Sequence, residues 1–593
     1  MSLSTYQSLL SQYSTQANAL NQRLRVLSFV RLILFCGFIF LGYKAMRTGD
    51  HAFTIASIIF FVIFLIVLRV YDRLQNKASF CKSLSRINND ELAFLEGQPS
   101  VYATGKEYTD PHHPYSYDLD IFGEGGLFPY LNRTSTSFGK EALSQSLLHP
   151  DKSAVRERQQ AIIELAPKVE FRQHLQAYGL IQETKEKEMQ QLDAWIKSPS
   201  MFSNKSLYSG LMIVPLATIA CLVWYFSTEK DLALNIFFAL FTVNLIIAFS
   251  FSRKIAAHLS VSTSVNKVLQ QFAAQLKLLE SLHFQSPLLK KIQEELKSGK
   301  SSAAHALGRL ASLFNYLETI VNLLVSILLN GLFLFHVHVL YALERWKKAN
   351  SQKIIPWLKL LGETEALNSL ANLSFNNPGF SRPVVKETEA LAAEELGHPL
   401  IAAEKRITNS LSFNQQRFVI LTGSNMSGKS TFLRTLGVNL VLANAGSMVC
   451  AKHFEFYPYE VEVSMRITDS LQDSESFFYA ELKRLQHIIQ QLQAGRKTFI
   501  ILDEILRGTN SNDKHNGTVG LIHKLVSAGA CGIIATHDLT VSKLVEQYPS
   551  YISNECFESE IINDELVFDY KLRHGVCTRL SASFLMKKMG VID

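Results

Sequence analysis

Two apolar runs, Val26 to Tyr43 and Ala52 to Leu68, are separated only by a polar turn around Arg47 to His51. A second pair, Leu207 to Phe226 and Leu232 to Phe251, is split by Ser227-Thr228-Glu229-Lys230-Asp231. Each run is near the ~20 residues that a helix needs to cross a hydrocarbon core, and none has the polar stripe of a surface helix. The pattern predicts two transmembrane helical hairpins, over 26–73 and 207–251. Arg31 lies inside the first run, where helix pairing or snorkelling must relieve its charge. That run is long and lacks a small-residue cleavage site, so it does not read as a signal peptide. A fifth run, Ile320 to Leu343, contains Asn322, Asn330, His336 and His338. Its polar content predicts one long buried helix of a soluble domain rather than another span.

Charge orients this arrangement. Arg23, Arg25, Arg69, Arg73, Lys205, Arg253 and Lys254 fall on one side if each pair is a hairpin, against Lys44, Arg47 and Lys230 on the other. The positive-inside rule then puts the N-terminus, the middle region and the C-terminal domain in the cytoplasm, as parts of an integral membrane protein. Hydrophobic residues make up 47% of the chain and charged ones 19%, which again points to membrane segments. The net charge of +7 suits nucleic acid and anionic lipid equally. Seven scattered cysteines without C-x-x-C pairing read as reduced, mostly buried thiols, which excludes a disulfide scaffold or zinc ribbon.

Past residue 380 the pattern shifts to short apolar strands that end in reactive groups. Phe418-Val419-Ile420-Leu421 runs into Gly423-Ser424-Asn425-Met426-Ser427-Gly428-Lys429-Ser430-Thr431, and a helix-compatible stretch follows from Phe432. Strand, glycine loop and helix together are the context of a nucleotide-binding P-loop. Backbone N–H groups and the helix N-terminus can wrap the phosphates of ATP, with Lys429 on the β- and γ-phosphates and the Ser430 hydroxyl on Mg²⁺. Phe499-Ile500-Ile501-Leu502 ends in Asp503, a candidate for the metal shell, and Glu504, a candidate general base. A third strand, Gly532 to Ala535, ends in Thr536-His537, and His537 is a candidate sensor of the γ-phosphate or its water.

The loops around these strands carry a family resemblance. Arg466 to Leu482 reads R-I-T-D-S-L-Q-D-S-E-S-F-F-Y-A-E-L, and Asp503 to Asp513 reads D-E-I-L-R-G-T-N-S-N-D. With T-G-S-N-M-S-G-K-S-T, A-T-H-D and Gly397-His398-Pro399-Leu400, these resemble the ATPase domain of the MutS family of DNA mismatch-repair proteins. Asp118 to Pro150, with its L-N-R-T-S-T-S-F-G segment, resembles the opening of that family's helical core. The resemblance implies an α/β P-loop NTPase of the ABC-type, MutS-like class over 381–593, preceded by an all-α MutS-like core over 118–206 and 252–380. Residues 1–25 are then an N-terminal segment and 74–117 a linker. It also implies a homodimer with two composite ATP sites, in which Ser476 reaches the neighbouring subunit's γ-phosphate and the Asn510–Asp513 loop crosses the interface.

Departures narrow the function. The first 117 residues leave no room for the family's mismatch-reading domain, and the clamp domain is not recognisable. Phe122-Gly123-Glu124 spells the Phe-x-Glu of that reader, but it lies inside the core motif and reads as coincidence. Two expectations stand. One is a membrane-anchored MutS-like ATPase that binds double-stranded DNA. The other is a membrane-remodelling or signalling ATPase without DNA binding. A transporter ATPase is disfavoured because no L-S-G-G-Q stretch follows the P-loop.

Overall fold

The computed structural model describes residues 2–181, 186–199, 205–299, 301–466, 477–506, 509–562, 565–578, 586 and 591–592. Helices α1 (Ser2–Thr48) and α2 (His51–Leu95) form one long hairpin, turned at Gly49-Asp50, with the Asp50 carboxylate capping Ala52 N. At 1.5 Å per residue each is about 70 Å long, more than twice a hydrocarbon core. Their character changes along the length. Val26 to Met46 of α1 face outward, whereas Tyr6, Leu9, Tyr13, Ala17, Leu20 and Leu24 recur at three- and four-residue spacing and are buried. The segment expected as a linker from residue 74 is therefore, as far as Leu95, the continuation of α2, and residues 2–25 continue α1. Both stay helical because their apolar stripe packs on the core, where Tyr13 and Phe80 meet His174. The Arg31 guanidinium lies 4.8 Å from the centre of the Tyr71 ring, so pairing within the hairpin does shelter it.

Short helices α3 to α8 follow (Leu127–Leu131, Ser137–Leu148, Val155–Leu165, Val169–Leu180, Glu186–Lys197 and Lys205–Leu211). Next come the second hairpin, α9 (Ile213–Thr228) and α10 (Asp231–Ser250), then α11 (Ser252–Ser281), α12 (Pro287–Lys297) and α13 (Ala303–Glu318). Among the described residues four helices are long and apolar enough to cross a membrane, and they fall on the four expected runs. The fifth run departs from expectation. It is not one buried helix: a 3-10 turn at Thr319–Val321 leads into α14 (Leu323–Phe333), bent 111° from α13, and α15 (Phe335–Asn376) starts afresh. Asn322 caps α14, and Leu334 adopts a left-handed conformation (φ 49°) between α14 and α15. These local hydrogen bonds override the continuous apolar pattern.

The C-terminal domain has two sheets. The smaller, in the order β1-β5-β2-β3, comprises Val384–Val385, His453–Phe456, Leu391–Leu396 and Asn409–Ser412. The larger runs β10-β9-β4-β8-β7-β6, formed by Glu565–His574, Ile552–Ile562, Phe418–Gly423, Cys531–Thr536, Thr498–Asp503 and Glu460–Ser464. Its strands are parallel except β10. Helices α16 (Lys429–Asn444), α17 (Phe477–Gln493), α18 (Ser511–Ser527) and α19 (Leu544–Gln547) complete it. The larger sheet is covered on both faces, which explains its uninterrupted apolar strands. Val419, Leu421, Ile501 and Ile533 join a core continuous with the helical domain, while Phe418, Ile420, Ile500 and Ile534 pack beside Leu485 of α17 and Ile522 of α18. Buried Asp118 fastens the two domains, accepting Met465 N at 2.8 Å and the Arg484 guanidinium at 2.6 Å. Phe122 packs against Tyr108 and Phe128 in the same segment, a structural position for the Phe-x-Glu sequence.

Candidate functional site

The reactive residues sit where parallel strands end. Strands β4, β8 and β7 are neighbours, with Thr422 beside Thr536 and Ala535 beside Asp503, so their C-terminal ends lie level. Crevices at such ends are the usual ligand sites of parallel α/β sheets. From β4 the chain passes through Gly423 to Thr431 and into α16. Gly428, the residue before the helix, has φ 99°, a left-handed value that glycine adopts freely. An added Cβ there would come 3.0 Å from the Tyr570 ring. Asn425 and Met426 form the exposed tip of the loop, while Ser424 and Ser427 are buried. The Ser424 and Ser427 hydroxyls are buried without a hydrogen-bond partner among the described residues. Buried hydroxyls are rarely left so, and an oxygen-rich ligand would satisfy them.

The charged groups meet across the strand ends. Lys429 Nζ folds back to donate to the carbonyls of Gly423 (3.0 Å) and Ser424 (3.1 Å). Burial pushes its amine below the usual lysine range, opposed by the Glu504 and Asp503 carboxylates. Ser430 Oγ donates to Asp503 Oδ2 at 2.6 Å, bringing together the two groups expected at the metal. His537 Nε2 lies 2.6 Å from Glu504 Oε1 and 3.4 Å from Lys429 Nζ. A contact of 2.6 Å makes the imidazole N–H the donor to Glu504, leaving Lys429 as a charged neighbour. Glu504 and Leu506 have φ of 48° and 59°, costly for residues with side chains and typical of functional turns. Glu481 stabilises this turn by accepting Leu506 N at 2.7 Å. A hydroxyl and a carboxylate are hard oxygen donors of the kind Mg²⁺ accepts beside phosphate and water. Among the described residues no group of three or more His, Cys, Asp or Glu could hold a metal alone, so such an ion would need the ligand's own oxygens.

A cavity of about 440 Å³ opens beside the loop, lined by Asn425 to Phe432, Glu504 and a wall the sequence reading did not foresee. That wall includes His398, Ile407, Asn409, Phe557 and Tyr570. Burial, with Arg434 and Arg406 nearby, lowers His398 to about 4, so it presents a neutral ring. Tyr570 reaches the loop because the β9–β10 register shifts between Phe568 and Leu572, a bulge that turns the strand. Asn409 holds the bulge, donating to Tyr570 O and accepting from Leu572 N. Ser476 lies outside the described residues. Asn510 caps α18, accepting Asp513 N at 2.9 Å, and its side chain also donates to Asp513 Oδ2.

Residues 419–589 match the family model described as MutS domain V, just under a third of the chain. The DNA mismatch repair protein MutS of Thermotoga sp. (strain RQ2) is 27% identical over 242 residues, covering 40% of this chain and 30% of the relative. MutS protein homolog 4 of Homo sapiens is 30% identical over 200 residues, 32% of this chain and 21% of the relative. The MutS of Chlorobium phaeovibrioides is 32% identical over 201 residues, 32% and 23% respectively. The chain thus spans less than a third of the length of the curated relatives it matches.

Proposed function

Because this chain belongs to the MutS family, we propose that it is a membrane-anchored ATPase whose C-terminal domain binds and hydrolyses ATP with Mg²⁺. One observation carries the reading. Lys429, the Ser430–Asp503 pair and the Glu504–His537 pair come together from three adjacent strand ends, and Lys429, Ser430 and Glu504 line one cavity. Lys429 would leave the Gly423 and Ser424 carbonyls to meet the β- and γ-phosphates, with the loop's N–H groups and the Ser424 and Ser427 hydroxyls around them. Ser430 and Asp503 would hold Mg²⁺, which neutralises charge developing on the phosphate oxygens. Glu504 would take the proton from the attacking water, oriented by the N–H of His537. The neutral, partly aromatic wall of His398, Ile407 and Tyr570 suits a purine ring.

A homodimer with two composite sites follows from the family reading, with Ser476 and the Asn510–Asp513 turn at its interface. The exposed loop tip at Asn425 and Met426 is consistent with a partner closing over the cavity. DNA binding is the output proposed first. The relatives bear the name of DNA mismatch repair proteins, and α15 exposes Arg345, Lys348 and Lys359 within about 60° of one another at 3.6 residues per turn. None of the three makes an ion pair within the described residues. The four long apolar helices favour the second output, work on the membrane or on a membrane partner.

Binding of homoduplex, mismatched and branched DNA to detergent-purified Glu504→Gln protein, with and without ATP across a salt series, separates the two. ATP-dependent binding that weakens with salt supports the DNA reading. Its absence at low salt, in protein that binds ATP, leaves the membrane reading.

A further inference from the structure

The run from Leu323 to Phe333 is an apolar helix whose outer side is uncovered by the described residues. Leu323, Leu324, Val325, Ile327, Leu328 and Phe333 are exposed, and from Leu323 to Phe333 every exposed residue is apolar. Eleven residues span about 16 Å, too short to cross a bilayer, and the 111° bend turns α14 away from the direction of α13. Its inner side is fitted against the second hairpin. A Cβ on Gly331 would collide with the Phe241 ring, and buried Asn244 of α10 donates to Gly331 O at 2.8 Å and to Thr218 Oγ1 of α9 at 3.0 Å. Leu334 and Val337 pack with Ala248 near the end of α10.

The polar groups of the segment bond within the protein, Asn322 at the exposed start of α14 and Asn330 and His336 where the segment is buried. Asn322 accepts Val325 N at 3.2 Å, and Asn330 donates to Ser326 Oγ while its carbonyl accepts His336 N. His336 Nε2 lies 3.1 Å from Thr319 Oγ1. In water these ends could be solvated directly. In hydrocarbon, polar groups must find partners inside the protein, as those of Asn322, Asn330 and His336 do, while Asn244 Oδ1 has none among the described residues.

We propose that α14 is a half-inserted helix lying along the membrane, seated in the acyl chains of the leaflet on the core-domain side, against the second hairpin. The occupant of its outer face is lipid, because the exposed residues of that face are all apolar and α14 packs on the second hairpin, whose own exposed surface is largely apolar too. The inference rests on the reading of α9 and α10 as membrane spans. Through Leu334 it fixes the membrane end of α15, whose other end lies eight residues before β1 of the nucleotide-binding domain.

Depth measurement tests this. In protein with Cys36 and Cys221 replaced by serine, Leu324→Cys, Leu328→Cys and, as span reporters, Leu216→Cys and Phe238→Cys would carry an environment-sensitive fluorophore. Each is reconstituted in phosphatidylcholine vesicles with spin-labelled lipid quenchers placed shallow or deep along the acyl chain. The expected result is loss of most emission at 324 and 328 with the shallow quencher and little with the deep one, while the span reporters are quenched. Quenched span reporters with unquenched 324 and 328 would overturn the seat and keep the spans. Unquenched reporters at all four positions would overturn both.

Discussion

Beneath the first hairpin, Glu91 of α2 meets the Arg133 guanidinium and accepts from Asn372 and Asn376 of α15, each at 3.1 Å. Arg172 and Tyr6 bond Asn372 from the other side, and all but Asn376 of these residues are buried. The cluster draws on distant parts of the chain, like the one at the end of the large sheet, but the two are built differently. The first is nearly closed: Glu91 and Arg133 are paired, Arg172 donates to Asn372 and to the Leu165 and Ala166 carbonyls, Arg133 is further covered by the rings of Phe94 and Tyr102, and a cavity of only about 20 Å³ remains beside them. The second keeps a cavity of about 440 Å³, two hydroxyls without a partner among the described residues and two strained turn residues. A closed cluster holds elements together, whereas an open one is arranged for something that is not protein. Stability is the expected role of the first cluster and chemistry that of the second.

That assignment can be broken by mutation. Arg133→Ala leaves Glu91 buried without its counter-ion and is expected to cost about 3–5 kcal/mol, read as a lower denaturation midpoint in detergent. Replacing both partners, Arg133→Met with Glu91→Met, is expected to recover much of that loss. If Arg133→Ala leaves the midpoint unchanged, the first hairpin is not held by this cluster.

Glu504→Gln should do the reverse. ATP turnover is expected to fall by roughly 10²–10⁴-fold, with binding kept and the denaturation midpoint nearly unchanged, since a partly exposed site gives up little packing. Phosphate release and nucleotide binding, measured on the same sample, check it. A large fall in the midpoint without a fall in turnover would make Glu504 a structural residue.

The smallest effect concerns Glu462 on β6, a buried acid in neither cluster. Burial raises it to about 7, against the pull of the nearby Arg484 guanidinium. The folded protein then holds a proton that the unfolded chain releases, so stability falls as pH rises from about 4.5 to 7. Glu462→Gln should remove that slope and raise stability at pH 8 by about 1–3 kcal/mol, with no gain at pH 4. Denaturation midpoints at both pH values check it, and an equal shift at each would refute the titration.

The open cluster was readable because its groups lie next to apolar strands, and parallel strands bring their ends level whatever their separation in the chain. The four apolar helices were readable for a similar reason, since length and composition suffice. The wall with Tyr570 was not, because a bulge in β10 places it and no local residue pattern announces that register shift. Nor was the break at α14, because a few polar residues within an apolar run do not announce that Asn322 caps a new helix or that Leu334 turns left-handed. The closed cluster was missed outright. Glu91 stood in an expected linker, and nothing about a lone Glu reveals that α2 continues far enough to bring it to Arg133.

The activity proposed for the open cluster is ATP hydrolysis. Its most direct test is phosphate release by the purified full-length protein with and without Mg²⁺, beside Lys429→Ala. Saturable, Mg²⁺-dependent release is expected, abolished together with nucleotide binding in Lys429→Ala, whose denaturation midpoint should hold or rise as a buried amine is removed. Release that continues unchanged in Lys429→Ala, or a wild-type protein that binds no ATP, would contradict it.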